Sequence, residues 1–168
     1  MPPGRPGGRR AEVAGPQLTL TVHVDPDAGP CPADRHQLRR WVRAAIPADS
    51  ELSLRLVTPA EARALNIRFR GRRYVPNVLT FAYDPAPRPG RGRAARGPVR
   101  ADVVVCLARA AREAREQGKP LRDHLAHLVV HGVLHAHGMD HLEPSDAARM
   151  QSRESAVLAR FGIPDPWR

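Results

Sequence analysis

The sequence predicts an α/β (α+β) fold: a small mixed β-sheet of about four strands packed with about five helices. Three observations point there. Four short β-rich runs, "LTLTVHV" (18–24), "ELSLRLV" (51–57), "NVLTFAY" (77–83) and "ADVVVCLA" (101–108), read as strands. Runs with apolar residues at helical spacing stand between and after them. One of these, 121–138, is long and apolar enough to be a buried central helix.

The elements follow in order. After the first strand, "DRHQLRRWVRAAI" (34–46) places Leu38, Trp41, Val42 and Ile46 on one helical face. After the second, "TPAE" offers Thr58 as N-cap, Pro59 at the first helical position and Glu61 at the third. That helix should run to about Phe69. The third and fourth strands are joined by a long basic connection. "RAAREAREQG" then continues as a helix that Gly118 and Pro120 end. The central helix follows, and a last helix covers about 145–161.

The length, 168 residues, suits one domain with a single core. We assign residues 18–163 to it, with a flexible basic arm before (1–17) and a short tail after (164–168). The formal net charge is +10. Much of the excess sits in two Pro/Gly-rich segments: three Arg and one Glu in 1–17, five Arg and one Asp in 84–100. Either these are solvated segments, or their arginines grip a polyanion without fixing a sequence. No apolar run approaches the eighteen or so residues of a membrane span, and the arginines at the start are not followed by an apolar signal core. Cys31 and Cys106 form no CxxC pair. The expected setting is the cytoplasm, with reduced thiols and no membrane partner.

The chemistry is concentrated in "HGVLHAHGMDH" (131–141), which holds four of the eight histidines. On a helical wheel at about 100° per residue, His124, His127, His131 and His135 fall within an arc of about 80°. His131 and His135, spaced i, i+4, present both imidazoles to one ion. Gly138 lets the chain turn, so His141 can return as a third ligand. Three neutral nitrogens suit Zn2+, or another divalent metal such as Ni2+, and leave a position open. His124 and His127 should lie outside the ligand set, His127 as a supporting or packing residue. His137 points to another face and should be exposed. Asp140 is a candidate to orient an imidazole. The spacing is also that of zinc proteases with H-E-x-x-H-x-x-G-x-x-H, but the residue after the first histidine is Gly132. A protease of that class needs its general base there.

These residues resemble a known family. "HGVLHAHGMDH" is similar to the H-G-x-L-H-x-x-G-[YM]-D-H signature of the YbeY family, bacterial rRNA maturation factors classed as metal-dependent endoribonucleases. "LNIRFRGRRYVPNVLTF" (65–81) resembles its L-N-x-x-[FY]-R-G-x-x-x-x-T-N-V-L-S-F segment. "ADVVVCLARAAREAREQGK" resembles its G-D-I-x-I strand and following helix, and "ARMQSRE" its closing M-x-x-x-E. The likeness spans about residues 18–163. Departures are Pro76, Thr80, Ala101 and His137.

The resemblance implies a small α/β fold with a zinc-like ion on His131, His135 and His141. It places Arg70 at the active site, where a guanidinium would steady the developing phosphorane. It implies single-stranded RNA as substrate, 16S rRNA 3′-end maturation and ribosome quality control as the setting, and the small subunit and its proteins as partners; DNA is not expected. The nucleophile would arise from metal-bound water, or the metal would polarise the phosphate. Two alternatives are a non-catalytic ribosome-assembly factor with a structural metal, and a metal-dependent hydrolase of another substrate. With two Trp, two Tyr and three Phe, the chain has little material for sequence-specific base reading.

Overall fold

Alternating apolar residues turn one face of the first and second strands toward the core and the other outward, whereas the fourth strand is buried on both faces toward its end. The computed structural model describes residues 14–83 and 97–168; most of the expected basic arm and basic connection lies outside them. Strands β1 (Leu18–Val24), β2 (Ser50–Val57), β3 (Val78–Ala82) and β4 (Val99–Cys106) form one sheet in the order β1-β2-β4-β3. β1, β2 and β4 run parallel, and β3 is antiparallel to β4. The helices are α1 (Arg35–Ala45), α2 (Pro59–Arg70), α3 (Leu107–Glu116), α4 (Leu121–Ala136) and α5 (Pro144–Ala159). A short 3-10 turn at Pro26–Ala28, which the sequence pattern does not announce, follows β1.

β4 shows the two faces most clearly. Val103 and Val105 join a core with α1, α4 and α5 that includes the fully buried Trp41, Leu54, Leu125 and Leu134. Val104 and Cys106 face the other way, into a smaller cluster with Leu79, Val57 and Ala62 of α2. The predicted end of this strand, 108, is corrected to Cys106. Cys106 pairs with Val57, the last residue of β2, so the ladder has no partner beyond it and Leu107 opens α3.

Local chemistry sets the helix ends. The Asp34 carboxylate accepts from the Gln37 N–H at 2.7 Å, and the Thr58 hydroxyl accepts from the Glu61 N–H at 3.2 Å, as the capping arrangement predicts. Gly71, at φ 64°, stops α2 immediately after Arg70. α4 is buried on nearly every side, which agrees with a central position. Among the described residues no helix is long and apolar enough to cross a membrane.

Candidate active site

Helical spacing puts His124, His127, His131 and His135 in a row along α4, with neighbouring ring centroids 6.2, 6.1 and 4.5 Å apart. The chain then turns at Gly138, φ 83°, a conformation that costs glycine little. This return brings His141 to 5.8 Å from His131 and 5.1 Å from His135, centroid to centroid. One nitrogen from each of His131, His135 and His141 lies within 4.8 Å of the other two, spacing that allows a shared metal ion. Asp140 acts differently from expectation. Its carboxylate accepts the backbone N–H of His141 at 2.7 Å and stands 4.0 Å from the ring nitrogen, so it fixes the turn rather than the imidazole.

The group that orients an imidazole is Glu154, on α5. It is fully buried. Its Oε1 accepts from His131 Nδ1 at 2.5 Å, which leaves Nε2 as that ring's unengaged nitrogen. Its Oε2 accepts from Trp167 Nε1 at 2.9 Å and meets His127 Nε2 at 3.4 Å. Burial pushes this carboxyl up, but the hydrogen bonds from His127 and His131 outweigh it and hold the group down at about 2. The last residues, expected only as a tail, therefore close over the row: the Trp167 ring also stands edge-on to His127 at 5.3 Å. His127, His131 and Glu154 form a second set within 4.8 Å; their hydrogen bonds account for it. The sequence contained Glu154 as part of a matching motif, but nothing in its position announced a partner 23 residues away.

His124 belongs to another network. Its Nε2 bonds Glu113 Oε2 at 2.9 Å, and the same carboxylate accepts from Asn77 Nδ2 at 3.0 Å and, through Oε1, from Arg109 Nε at 2.9 Å. Burial raises the Glu113 carboxyl, and these three donors more than reverse that. His137 is a correction. It was expected to be exposed, yet it is buried, with Nδ1 donating to Val133 O at 2.8 Å and Nε2 2.9 Å from Ser50 Oγ. Away from the histidine row α4 is buried, so its other sides have no solvent face to offer His137.

His131, His135 and His141 open onto a cleft of about 640 Å³. Arg70 lines the same cleft and makes no hydrogen bond or ion pair among the described residues. Asn77, Arg109 and Glu113 line it too. Pro76, where the resembling segment has Thr, is buried in the cleft wall, and Asn77 beside it is held by Glu113. Burial drives the His135 imidazolium pKa down to about 4, with the neighbouring His131 and His141 adding to the effect. The ring is thus neutral at pH 7, with a lone pair to give. Gly132, read as a missing base, has a packing role. A Cβ there would lie 2.5 Å from Val103 Cγ1, so the side chain at 132 points into the sheet.

Comparison with known proteins shows what the chain is similar to. The family described as Endoribonuclease YbeY matches residues 33–162. An Endoribonuclease YbeY of Thiobacillus denitrificans is 49% identical over 152 residues, covering 90% of this chain and 97% of its own. One from Bordetella pertussis is 51% identical over 143 residues, 79% of this chain and 86% of its own. Among solved structures, that of TM1509 from Thermotoga maritima has the same fold, with a TM-score of 0.50 at 21% identity over 85% of this chain and 91% of the other. With about half its residues identical to a relative across nine tenths of its length, the chain belongs to the YbeY endoribonuclease family.

Proposed function

We propose that this protein is a metal-dependent endoribonuclease that cuts single-stranded RNA in 16S rRNA 3′-end maturation and ribosome quality control. It would act in the cytoplasm, with the small subunit and its proteins as partners. The observation that carries the reading is the convergence of three imidazole nitrogens, on His131, His135 and His141, in an open cleft that Arg70 shares. This donor set fits a borderline divalent ion, Zn2+ first and Ni2+ as an alternative. His135 is held neutral by burial, and His131 has its second nitrogen tied to a carboxylate. Bound there, the ion supplies Lewis acidity to the reacting phosphodiester.

The chain's own residues do the remaining work. Glu154 fixes the rotation and tautomer of His131. Asp140 holds the backbone of the returning turn so that His141 faces the pair. Arg70, with no partner to leave among the described residues, offers parallel N–H donors to the non-bridging oxygens as negative charge develops. Further arginines in 1–17 and 84–100 supply a salt-dependent grip on the backbone. The open cleft favours turnover over a purely structural ion.

Metal analysis coupled to cleavage of a defined single-stranded RNA tests the proposal. His135→Ala should lose both metal and cleavage; normal cutting with no bound metal overturns the mechanism. Arg70→Ala should keep the metal and lose at least tenfold in kcat, in line with the loss of a charge-stabilising donor. Unchanged activity removes Arg70 from the catalytic residues.

A further inference from the structure

The cleft does not end at Arg109. Beyond it a second cavity of about 480 Å³ opens, lined by Pro59, Tyr74, Val75, Ala108, Arg109 and Arg112. Tyr74, Val75 and Arg109 line both cavities and so form their shared boundary. Three features make this second cavity a built site.

The first is an exposed ring on a fixed backbone. Tyr74 is 56% exposed. The loop that carries it is held at several points: the fully buried Asn66 donates Nδ2 to the Tyr74 carbonyl at 3.0 Å, Arg63 Nε donates to the Arg73 carbonyl at 2.8 Å, and Pro76 is buried. A large aromatic face is thus displayed by a loop that has little freedom to withdraw it. Such a surface, next to polar groups, is the usual platform for an unstacked base.

The second is the pose of two guanidinium groups. Arg109 and Arg112 lie three apart on α3 and so project from one side of it. Each commits only its Nε–H to a glutamate, Arg109 to Glu113 at 2.9 Å and Arg112 to Glu116 at 2.8 Å. Glu113 is itself held by Asn77 and His124. The terminal amino groups of both arginines make no hydrogen bond among the described residues. A guanidinium anchored through Nε with its outer edge open is oriented to give paired N–H donors to a phosphate.

The third is continuity. The same Arg109 that closes the second cavity lines the cleft holding His131, His135 and Arg70. Because the two cavities share Tyr74, Val75 and Arg109, a strand lying in the first cleft has a continuous path into the second.

We propose that the second cavity is a subsite for a nucleotide adjacent to the cut, with its base against the Tyr74 ring and its phosphate on the outer edges of Arg109 and Arg112. The proposal rests on the single-stranded RNA reading above. One aromatic face stacks on any base, so the subsite sets the position and single-strandedness of the substrate, and not its sequence.

The test is kcat/KM for cleavage of one single-stranded RNA and of a series in which a single abasic ribose is moved through the positions flanking the cut. Tyr74→Ala should lower kcat/KM on the intact RNA about tenfold, chiefly through KM, with Tyr74→Phe restoring it. An abasic site at one flanking position should cost the wild type the same factor and cost Tyr74→Ala nothing further. Arg112→Gln should lower the slope of log kcat/KM against log salt by about 0.7, the loss of one phosphate contact to a single strand. If Tyr74→Ala cuts intact RNA as well as wild type, or its penalty multiplies with the abasic penalty at every position, the subsite is refuted while the endoribonuclease reading stands. A wild-type protein that cuts none of these RNAs removes that reading and the subsite with it.

Discussion

At the scale of single residues, the candidate site depends on a carboxylate that the sequence pattern did not connect to it. Glu154 is fully buried and its charge is maintained by His131, His127 and the Trp167 indole N–H. A carboxylate in this position raises the basicity of the imidazole and fixes its orientation. Glu154→Gln keeps the shape and removes the charge. We expect a 10–100-fold loss of affinity for the metal on this substitution, the usual consequence of losing such a partner, read by competition with a chromophoric chelator. Unchanged affinity leaves Glu154 with a packing role alone. Spacing made His131 and His135 legible because i, i+4 is a property of one helix. Glu154 was not, because its proximity comes from α5 folding back across α4.

At the scale of elements, α4 touches the sheet at Gly132. The Thr80 hydroxyl donates to the Gly132 carbonyl at 3.1 Å, and a Cβ at 132 would meet Val103 at 2.5 Å, Val78 at 3.2 Å and Thr80 Oγ1 at 3.3 Å. Val103 is buried and stiff at χ1, so it has little room to yield. Gly132→Ala should therefore destabilise the fold by about 1–3 kcal/mol, the usual cost of overpacking a filled core, measured as a shift in the denaturant midpoint. A midpoint equal to wild type would mean that α4 can lift from the sheet without loss. The sequence comparison with zinc proteases read Gly132 as an absent base. The contact gives the physical reason a glutamate does not belong here: its stem would enter the space of Val103.

At the scale of the whole molecule, buried imidazoles tie folding to pH. Burial lowers the pKa of His124, His137 and His135, the last to about 4 from its ordinary 6.5. Below 6.5 the unfolded chain takes up protons that the folded chain refuses, so unfolding gains from acid. Stability of the metal-free protein should be full above about pH 6.5 and fall as the pH drops toward about 4. Glu154 is depressed to about 2, so its contribution holds down to about pH 4.5 and is lost progressively in stronger acid. Urea unfolding of chelator-treated protein at pH 7.5 and pH 5 checks the sign. A higher midpoint at pH 5 would contradict it.

The sequence by itself determined the strands, the helices to within about two residues at most ends, the three converging histidines and the family. The elements and the histidine spacing are carried by short-range periodicity, capping chemistry or a local motif, which physical rules read one segment at a time; the family is carried by the resemblance of several motifs in order along the chain. Only the tertiary structure decided that His137 is buried against Ser50, that Asp140 holds a backbone while Glu154 orients a ring, and that Tyr74 and Arg109 share the cleft of Arg70 and the histidines. Those facts join residues from different elements. They follow from how α2, α3, α4 and α5 pack around the sheet, which no local pattern in the chain encodes.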